Sequence, residues 1–419
     1  MYNKIPISGG VVMNNVTGKA VVSEDYLKSR LYLVDELRNF VRKTSVIIEA
    51  PRRFGKTSVI KEFKRQEEAK SEEEREFNVL FLELEGEETL HEFCFKLFKE
   101  LLSLYHVRRQ FDKITDLLGN AWNAFALRIP KLNIPEFEVE LREKTRDMDF
   151  TAWKEKLTPL INGLNSFDVH TVIAFDEFPD MLLNFKNRAR EEKDFITLVD
   201  RLTAWLRALR QNQTGDSKYQ FVFCGSVNMR KTLEEIGLGK RMNDIESLII
   251  PNMKAEDAEL LINSLMKEYA LEIAPEGVSF MVAKITNGSP YYGQILFKAL
   301  RDSRERMLSL EMLKARYDGM LRGGNHDLNH YHTRLKKYLG PVERKCSEII
   351  LKHLCYEPLH EKHLFDNHVF ELCGYEVFQS VVNRLVYEGY IMRDIANNGA
   401  LTFVAPLLKD WWSCKVGVR

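Results

Sequence analysis

Residues 45–58, SVIIEAPRRFGKTS, narrow the folds open to this chain more than any other stretch. A short apolar run meets a Pro/Gly turn, and Gly55, Lys56 and Thr57 then open an amphipathic helix. A buried strand (Val46, Ile47, Ile48) that feeds a tight loop points the loop's backbone N–H groups inward, and the helix that follows adds its positive end. In such a turn Ala50, Pro51, Arg52, Arg53, Phe54, Gly55 and Ser58 form a phosphate cradle. Lys56 reaches the β- and γ-phosphates, and the Thr57 hydroxyl ligates Mg²⁺. The run departs from G-x-x-x-x-G-K-[ST] at its first position, Ala50. Alanine serves there only if the backbone needs no positive φ.

A bare G-K-[ST] arises by chance in roughly one chain of this length in five, so its context has to carry the argument. Residues 171–177, TVIAFDE, supply it with a second apolar run that ends in two carboxylates. Asp176, at the end of a buried strand, holds the hydration shell of Mg²⁺, and Glu177 orients and deprotonates the attacking water. Taken alone, this run is equally a core strand followed by an acidic turn. Two such signals in this order, about 120 residues apart, point together to a nucleotide site.

The chain is long enough for two or three domains, and with 45% apolar residues it can bury large cores. The 61 basic residues balance 61 acidic ones, which excludes the electrostatic footprint of a protein built mainly to coat nucleic acid. No uninterrupted apolar run reaches membrane-spanning length, and the N-terminus lacks a basic region followed by an apolar one, so a cytoplasmic address without membrane contact is expected. The six cysteines form no C-x-x-C pair and read as reduced thiols.

Taken in order, residues 1–22 read as an N-terminal arm or short hairpin, and a helix runs from Ser23 into the phosphate-loop strand. Tyr26 is placed to line an adenine pocket. NVLFLELEG is a second strand, and residues 89–105 form a helix with Leu90, Phe93, Leu97 and Leu101 on one stripe. An insertion covers about residues 106–148, where alternation around Phe137, Val139 and Leu141 suggests a surface hairpin. YQFVFCGS and ESLIIP are further strands. Strands that alternate with helices imply a parallel sheet, which binds ligands at the carboxyl ends of its strands. Lys56, Asp176, Glu177 and Ser226 all fall there. Ser226 contacts the γ-phosphate or the attacking water, or else caps the helix that follows. Thus 23–253 is an ATPase-type sheet domain and 254–304 a helical lid, in which Pro290 opens a helix. A helical linker at 305–340 leads to 341–419, whose helices and β-hairpin make a winged helix.

On the strength of E-A-P-R-R-F-G-K-T-S, I-A-F-D-E-F, F-C-G-S, the Gly-Ser-Pro at 288–290, H-Y-H-T-R-L-K-K-Y-L and A-P-L-L-K-D-W-W, the chain resembles the archaeal-type AAA+ ATPase family. That family is placed in the MNS class of STAND P-loop ATPases and also occurs in bacteria. The likeness covers roughly residues 20–414. It implies an α/β P-loop sheet ordered 5-1-4-3-2, a helical lid, a C-terminal winged helix, and ATP with Mg²⁺ as ligands. It also implies that Pro290 packs on the nucleotide, that Arg30 matches a nucleotide-contacting arginine, and that Arg241 matches a basic position offered to the γ-phosphate. No lid arginine of the usual AAA+ kind is present.

Two sets of basic residues stay open. Arg52 and Arg53 touch phosphate or a neighbouring subunit, or else are solvated loop residues. His326, Asp327, His330 and His332 read as a polar linker helix in preference to a metal site. The recognition-type helix, GYEVFQSVVNRLVYEGY, carries Arg384 as its one base, so a protein partner or self-association is expected ahead of DNA. The basic approach from Arg334 to Lys345 keeps a DNA-binding ATPase of the origin-recognition or mobile-element type as an alternative. A non-hydrolysing nucleotide-binding interaction protein is the other alternative.

Overall fold

The structure is a computed structural model that describes residues 15, 19–22, 28–107, 135–211, 217–225, 229–301, 305–322 and 326–418. The chain packs as two compact units. One comprises Leu33–Glu49 and Val59–Ile249; the other comprises the chain up to Tyr32, Ala50–Ser58 and everything from Ile250 onward.

The first unit is a sheet with helices. In chain order it contains α1 (Tyr32–Val41), β1 (Val46–Glu49), most of α2 (Lys56–Glu68), β2 (Phe77–Glu83), α3 (Leu90–Val107), α4 (Pro135–Thr145), α5 (Phe150–Gly163) and β3 (His170–Asp176). It continues through α6 (Phe178–Arg188), α7 (Glu192–Gln211), β4 (Tyr219–Cys224), α8 (Met229–Glu235) and β5 (Glu246–Ile249). The five strands lie in the order β2-β3-β4-β1-β5 with every pairing parallel, which is the order that the family resemblance implied. The central strands read as unbroken apolar runs because helices cover both faces: all of β4 is buried, as is β3 after His170. Phe93, Phe175, Phe178, Phe221 and Phe223 interlock between sheet and helices, with neighbouring ring centroids 5.3–6.2 Å apart. Phe93, Leu97 and Leu101 bury the expected stripe of α3.

Two expectations need correction. Residues 135–145 form helix α4 and not one arm of a hairpin. Pro135 stands at the first helical position, which its fixed φ favours, and the Glu-rich stretch behind it contains no turn residue to reverse the chain. Leu141 is buried while Val139 is exposed. The rest of the insertion, 108–134, lies outside the described residues. Upstream, the helix before β1 starts at Tyr32, after a single 3₁₀ turn at Lys28–Arg30.

The second unit holds α9 (Ala255–Glu268), β6 (Glu272–Ile273), α10 (Pro275–Ile285), α11 (Pro290–Arg301), β7 (Met307–Leu308), α12 (Leu310–Arg322) and α13 (His326–Tyr338). After these come α14 (Pro341–Leu354), α15 (Glu361–Leu364), a π turn at Phe365–Val369, α16 (Tyr375–Tyr387), the hairpin β8 (Ile391–Asp394) and β9 (Ala400–Phe403), and α17 (Pro406–Lys415). The small parallel pair β6–β7 is absent from the sequence reading. The three helical segments and the antiparallel hairpin at the end form the winged helix, with Leu359 pairing to Leu401 as a third strand position. Asn398 and Gly399 turn the hairpin with φ of 49° and 79°. Of the N-terminal arm, Asn15 is described. It is buried, donates its side-chain amide to the Gln294 carbonyl and to Gln294 Oε1, and receives Arg301 at 3.0 Å. No helix among the described residues is long and apolar enough to cross a membrane.

Candidate functional site

The phosphate loop, Ala50–Ser58, follows directly on β1. Ala50 is buried and is not among the residues with positive φ, which removes the objection to alanine at the first motif position. The left-handed positions of the loop are Arg53 (φ 70°) and Gly55 (φ 96°). Gly55 is the residue type this geometry favours, whereas Arg53 adopts it as a side chain under strain. Lys56, 6% exposed, curls back so that Nζ donates to the carbonyls of Ala50 (2.7 Å) and Pro51 (3.0 Å). Those two bonds hold the ammonium inside the arc of its own loop.

Several groups of the same unit brace the loop. Arg30 is buried and donates to the Pro251 carbonyl at 2.5 Å and to the Phe54 carbonyl at 3.4 Å. Ser58 Oγ accepts the Val21 N–H at 3.1 Å. The Arg53 guanidinium lies 4.6 Å from the centre of the Tyr291 ring, the residue after Pro290, so loop and Gly-Ser-Pro turn are joined. Tyr291 donates its hydroxyl to the Asp327 carbonyl at 2.7 Å. Gly389 (φ 77°), in the turn before β8, comes so close to the loop that a Cβ there would stand 2.8 Å from Pro51 Cβ. Arg53 is therefore a packed strut and not a solvated residue. Pro290 opens α11 as expected, and Gly288 before it is required by crowding, since a Cβ would meet Tyr292 Cδ2 at 2.5 Å.

In the sheet unit, β3 and β4 end side by side at the carboxyl edge, and their register sets Phe175 opposite Phe223. The next residues, Asp176 and Cys224, are consequently neighbours, and the Cys224 thiol donates to Asp176 Oδ1 at 2.8 Å. Both are buried. Glu177 follows in the left-handed region (φ 56°, ψ 33°), at the N-cap of α6 but with no side-chain capping bond. Gly225 lies against this turn: a Cβ there would fall 2.4 Å from Pro179 Cδ and 3.5 Å from Glu177 Oε2. Glu49, at the same edge, pairs with Arg230 at 3.3 Å.

Arg241 goes elsewhere. It sits in the 3₁₀ turn that feeds the amino end of β5, and its guanidinium is paired with Asp200 at 2.5 Å. Tyr26 and Ser226 lie outside the described residues. Of the linker histidines, His330 faces the Asp327 carbonyl through Nδ1 at 2.7 Å, and His332 packs its ring beside Trp412. His326 has no described side chain. Arg334, read as part of a basic approach to the winged helix, is instead buried and paired with Glu388 at 2.7 Å.

Sequence reasoning missed Cys224, Gly225, Tyr291 and Gly389. The signal for Cys224 lay in the F-C-G-S run, once β4 is set beside β3.

The residue types in each unit suit the ligands that the sequence calls for. In the loop's own unit a left-handed glycine, an inward lysine and a helix N-terminus suit phosphate, and Thr57 offers a hydroxyl; in the sheet unit, taken by itself, the Asp176 carboxylate is a hard oxygen ligand of the type Mg²⁺ takes.

No family model matches this chain, and no curated protein matches it either. Solved structures do. A Walker-type ATPase of Pyrococcus abyssi superposes with a TM-score of 0.57 at 11% identity, over 94% of this chain and 97% of that one. The ORC2 protein of Aeropyrum pernix, in ADPNP–ADP complexes, superposes with a TM-score of 0.53 at 12% identity, over 94% and 98%. With its sheet order and its C-terminal helices and hairpin, the chain has the P-loop fold of the AAA+ type.

Proposed function

We propose that this protein is an ATP-binding, Mg²⁺-dependent P-loop ATPase, cytoplasmic, that works as a slow nucleotide-driven switch of the STAND kind. Its winged helix would engage a partner macromolecule. The observation that carries the reading is the loop itself: Lys56 held inside a turn with a left-handed Gly55 at the start of a helix. In this reading Lys56 and the loop N–H groups bind the phosphates, Thr57 and Asp176 hold Mg²⁺, and Glu177 orients and deprotonates the attacking water. The metal, when bound, neutralises charge on the phosphate oxygens. Pro290 and its turn would pack on the nucleotide, and Ser226 would touch the γ-phosphate or the water. Arg241, tied to Asp200, would act only on release from that pair.

Lys56→Ala should abolish ATP binding. Glu177→Gln should keep binding and lose hydrolysis by 10²-fold or more, on the order of the usual contribution of a general base. Nucleotide titration and phosphate release on the same preparations check this, and a Glu177→Gln protein that fails to bind ATP overturns the assignment. Tight binding with no hydrolysis by the unmodified protein would favour the non-hydrolysing interaction protein.

The partner is a protein or a second copy of this chain. The exposed residues at the start of α16 are Tyr375, Glu376 and Val377, flanked by exposed Phe370 and Glu371. That aromatic and acidic surface supports protein contact over phosphate contact.

A further inference from the structure

We propose that Cys346 and Cys373 are a thiol pair that a peroxide closes into a reversible disulfide, a redox-modification site on the winged helix that fastens the amino end of α16 to α14. The inference stands apart from the nucleotide site and needs none of its assignments.

Two contacts lay the turn after α15 along one face of α14. The first is a pair of rings: His353 and His368 stack with centroids 3.6 Å apart and planes 19° from parallel. Cys346 and His353 stand at positions i and i+7 of α14, which share a helix face. On the facing segment, the Phe370 N–H closes the π turn on the Phe365 carbonyl at 2.9 Å, and the Cys373 N–H returns to the Val369 carbonyl at 3.3 Å. The second contact joins the sulfurs, since the Cys346 thiol has Cys373 as its hydrogen-bond partner. Burial, with Cys373 beside it, pushes the Cys346 thiol up to about 12, so this sulfur keeps its proton until its neighbour reacts.

The two thiols differ in access. Cys346 is buried, whereas Cys373 is half-buried and is the sulfur that an oxidant reaches. With hydrogen peroxide, the Cys373 sulfur attacks one peroxide oxygen: an S–O bond forms, the O–O bond breaks and one water leaves. The Cys346 sulfur then attacks the Cys373 sulfenic acid. The S–S bond forms, the S–O bond breaks, and the hydroxyl departs as a second water with the proton that Cys346 gives up. Together the thiols lose two electrons, and the peroxide is reduced to water; a dithiol reductant reverses the change. Cys373 directly precedes Gly374, the N-cap of α16. The bond therefore pins the end of that helix, where Tyr375, Glu376 and Val377 are exposed beside Phe370.

The test treats the reduced full chain with hydrogen peroxide, blocks the remaining thiols with iodoacetamide, and maps the peptides by mass spectrometry without reduction. One linked pair, carrying Cys346 and Cys373, is expected, with a mass about 2 Da below that of the two free peptides together. Dithiothreitol should separate it. Cys346→Ser should stop the reaction at a Cys373 sulfenic acid that dimedone traps, and Cys373→Ser should leave Cys346 unreacted. The same dose in guanidinium chloride should scatter the links among the six cysteines. The folded, unmodified protein decides the matter whether or not either variant folds. A Cys346–Cys373 bond that forms only in denaturant, a link between two chains, or Cys373 carried on to sulfinic acid with no link to Cys346 overturns the inference.

Discussion

Glu177 holds a backbone conformation that costs a non-glycine residue about 1–3 kcal/mol. Pro179, two residues on, packs directly against Gly225, so the turn that carries Glu177 lies close on the end of β4. Gly225→Ala should therefore be destabilising by about 1–3 kcal/mol, the usual range for forcing a methyl into a packed site, and denaturant unfolding reads it directly. An unchanged midpoint would mean that α6 shifts freely and that the turn is not held. The acidic pair itself was legible in the sequence, because an apolar run ending in two carboxylates is a local pattern. Cys224 was not, since its meaning depends on which strand lies beside β4. The same holds for Arg53: its letters leave contact with phosphate or a neighbouring subunit and a solvated loop cation both open, and only the structure shows it packed on Tyr291.

Elements were legible where periodicity was long and unambiguous, as in the strands of the sheet and the stripe of α3. They were illegible where a few residues fit two periods. Phe137, Val139 and Leu141 alternate as a strand would, yet the segment is helix α4, since helix propensity and the absence of a turn outweigh three alternating positions. Helix α13 is another case, for its histidines carry no sequence signal of burial. His330 turns Nδ1 toward the Asp327 carbonyl, and its Nε2 is buried without a partner. Burial, reinforced by Arg53, Arg52 and Arg334, pushes its pKa down from 6.5 to about 4, against the opposing pull of the Asp327 carbonyl. The unfolded chain therefore binds a proton that the folded chain refuses between those values. Stability is unaffected above pH 6.5, falls as pH drops through the window, and levels off below about 4, for a loss of up to about 3 kcal/mol. His330→Phe should flatten this part of the melting profile between pH 6.5 and 4. A variant that loses stability with pH as steeply as the unmodified protein would show that the histidine does not matter.

At the scale of the whole molecule, the described residues of the recognition-type helix α16 offer little base-reading chemistry. Arg334 is paired with Glu388, and Arg384 faces the same carboxylate at 3.9 Å. Lys336 and Lys345 remain exposed. DNA binding measured over a salt series, with and without ATP, should show no sequence preference. Any affinity at low salt should fall steeply as salt rises and should weaken with Lys336→Glu or Lys337→Glu. Binding that survives physiological salt with a clear base preference would restore the origin-recognition type of function. Three buried tyrosines bear on a different matter. The Tyr292 and Tyr331 hydroxyls meet at 2.6 Å, and Tyr390 donates to the Tyr331 carbonyl at 2.5 Å, fastening α11, α13 and the start of the hairpin to one another. Shears applied at residue 304 or 340, the boundaries that sequence composition suggests, would cut through this knot. A fragment carrying the ATPase sheet and lid alone would present Tyr292 to water, and an isolated winged helix would present Tyr390. Anyone dissecting the chain by truncation should expect both pieces to aggregate for reasons unrelated to what either of them does.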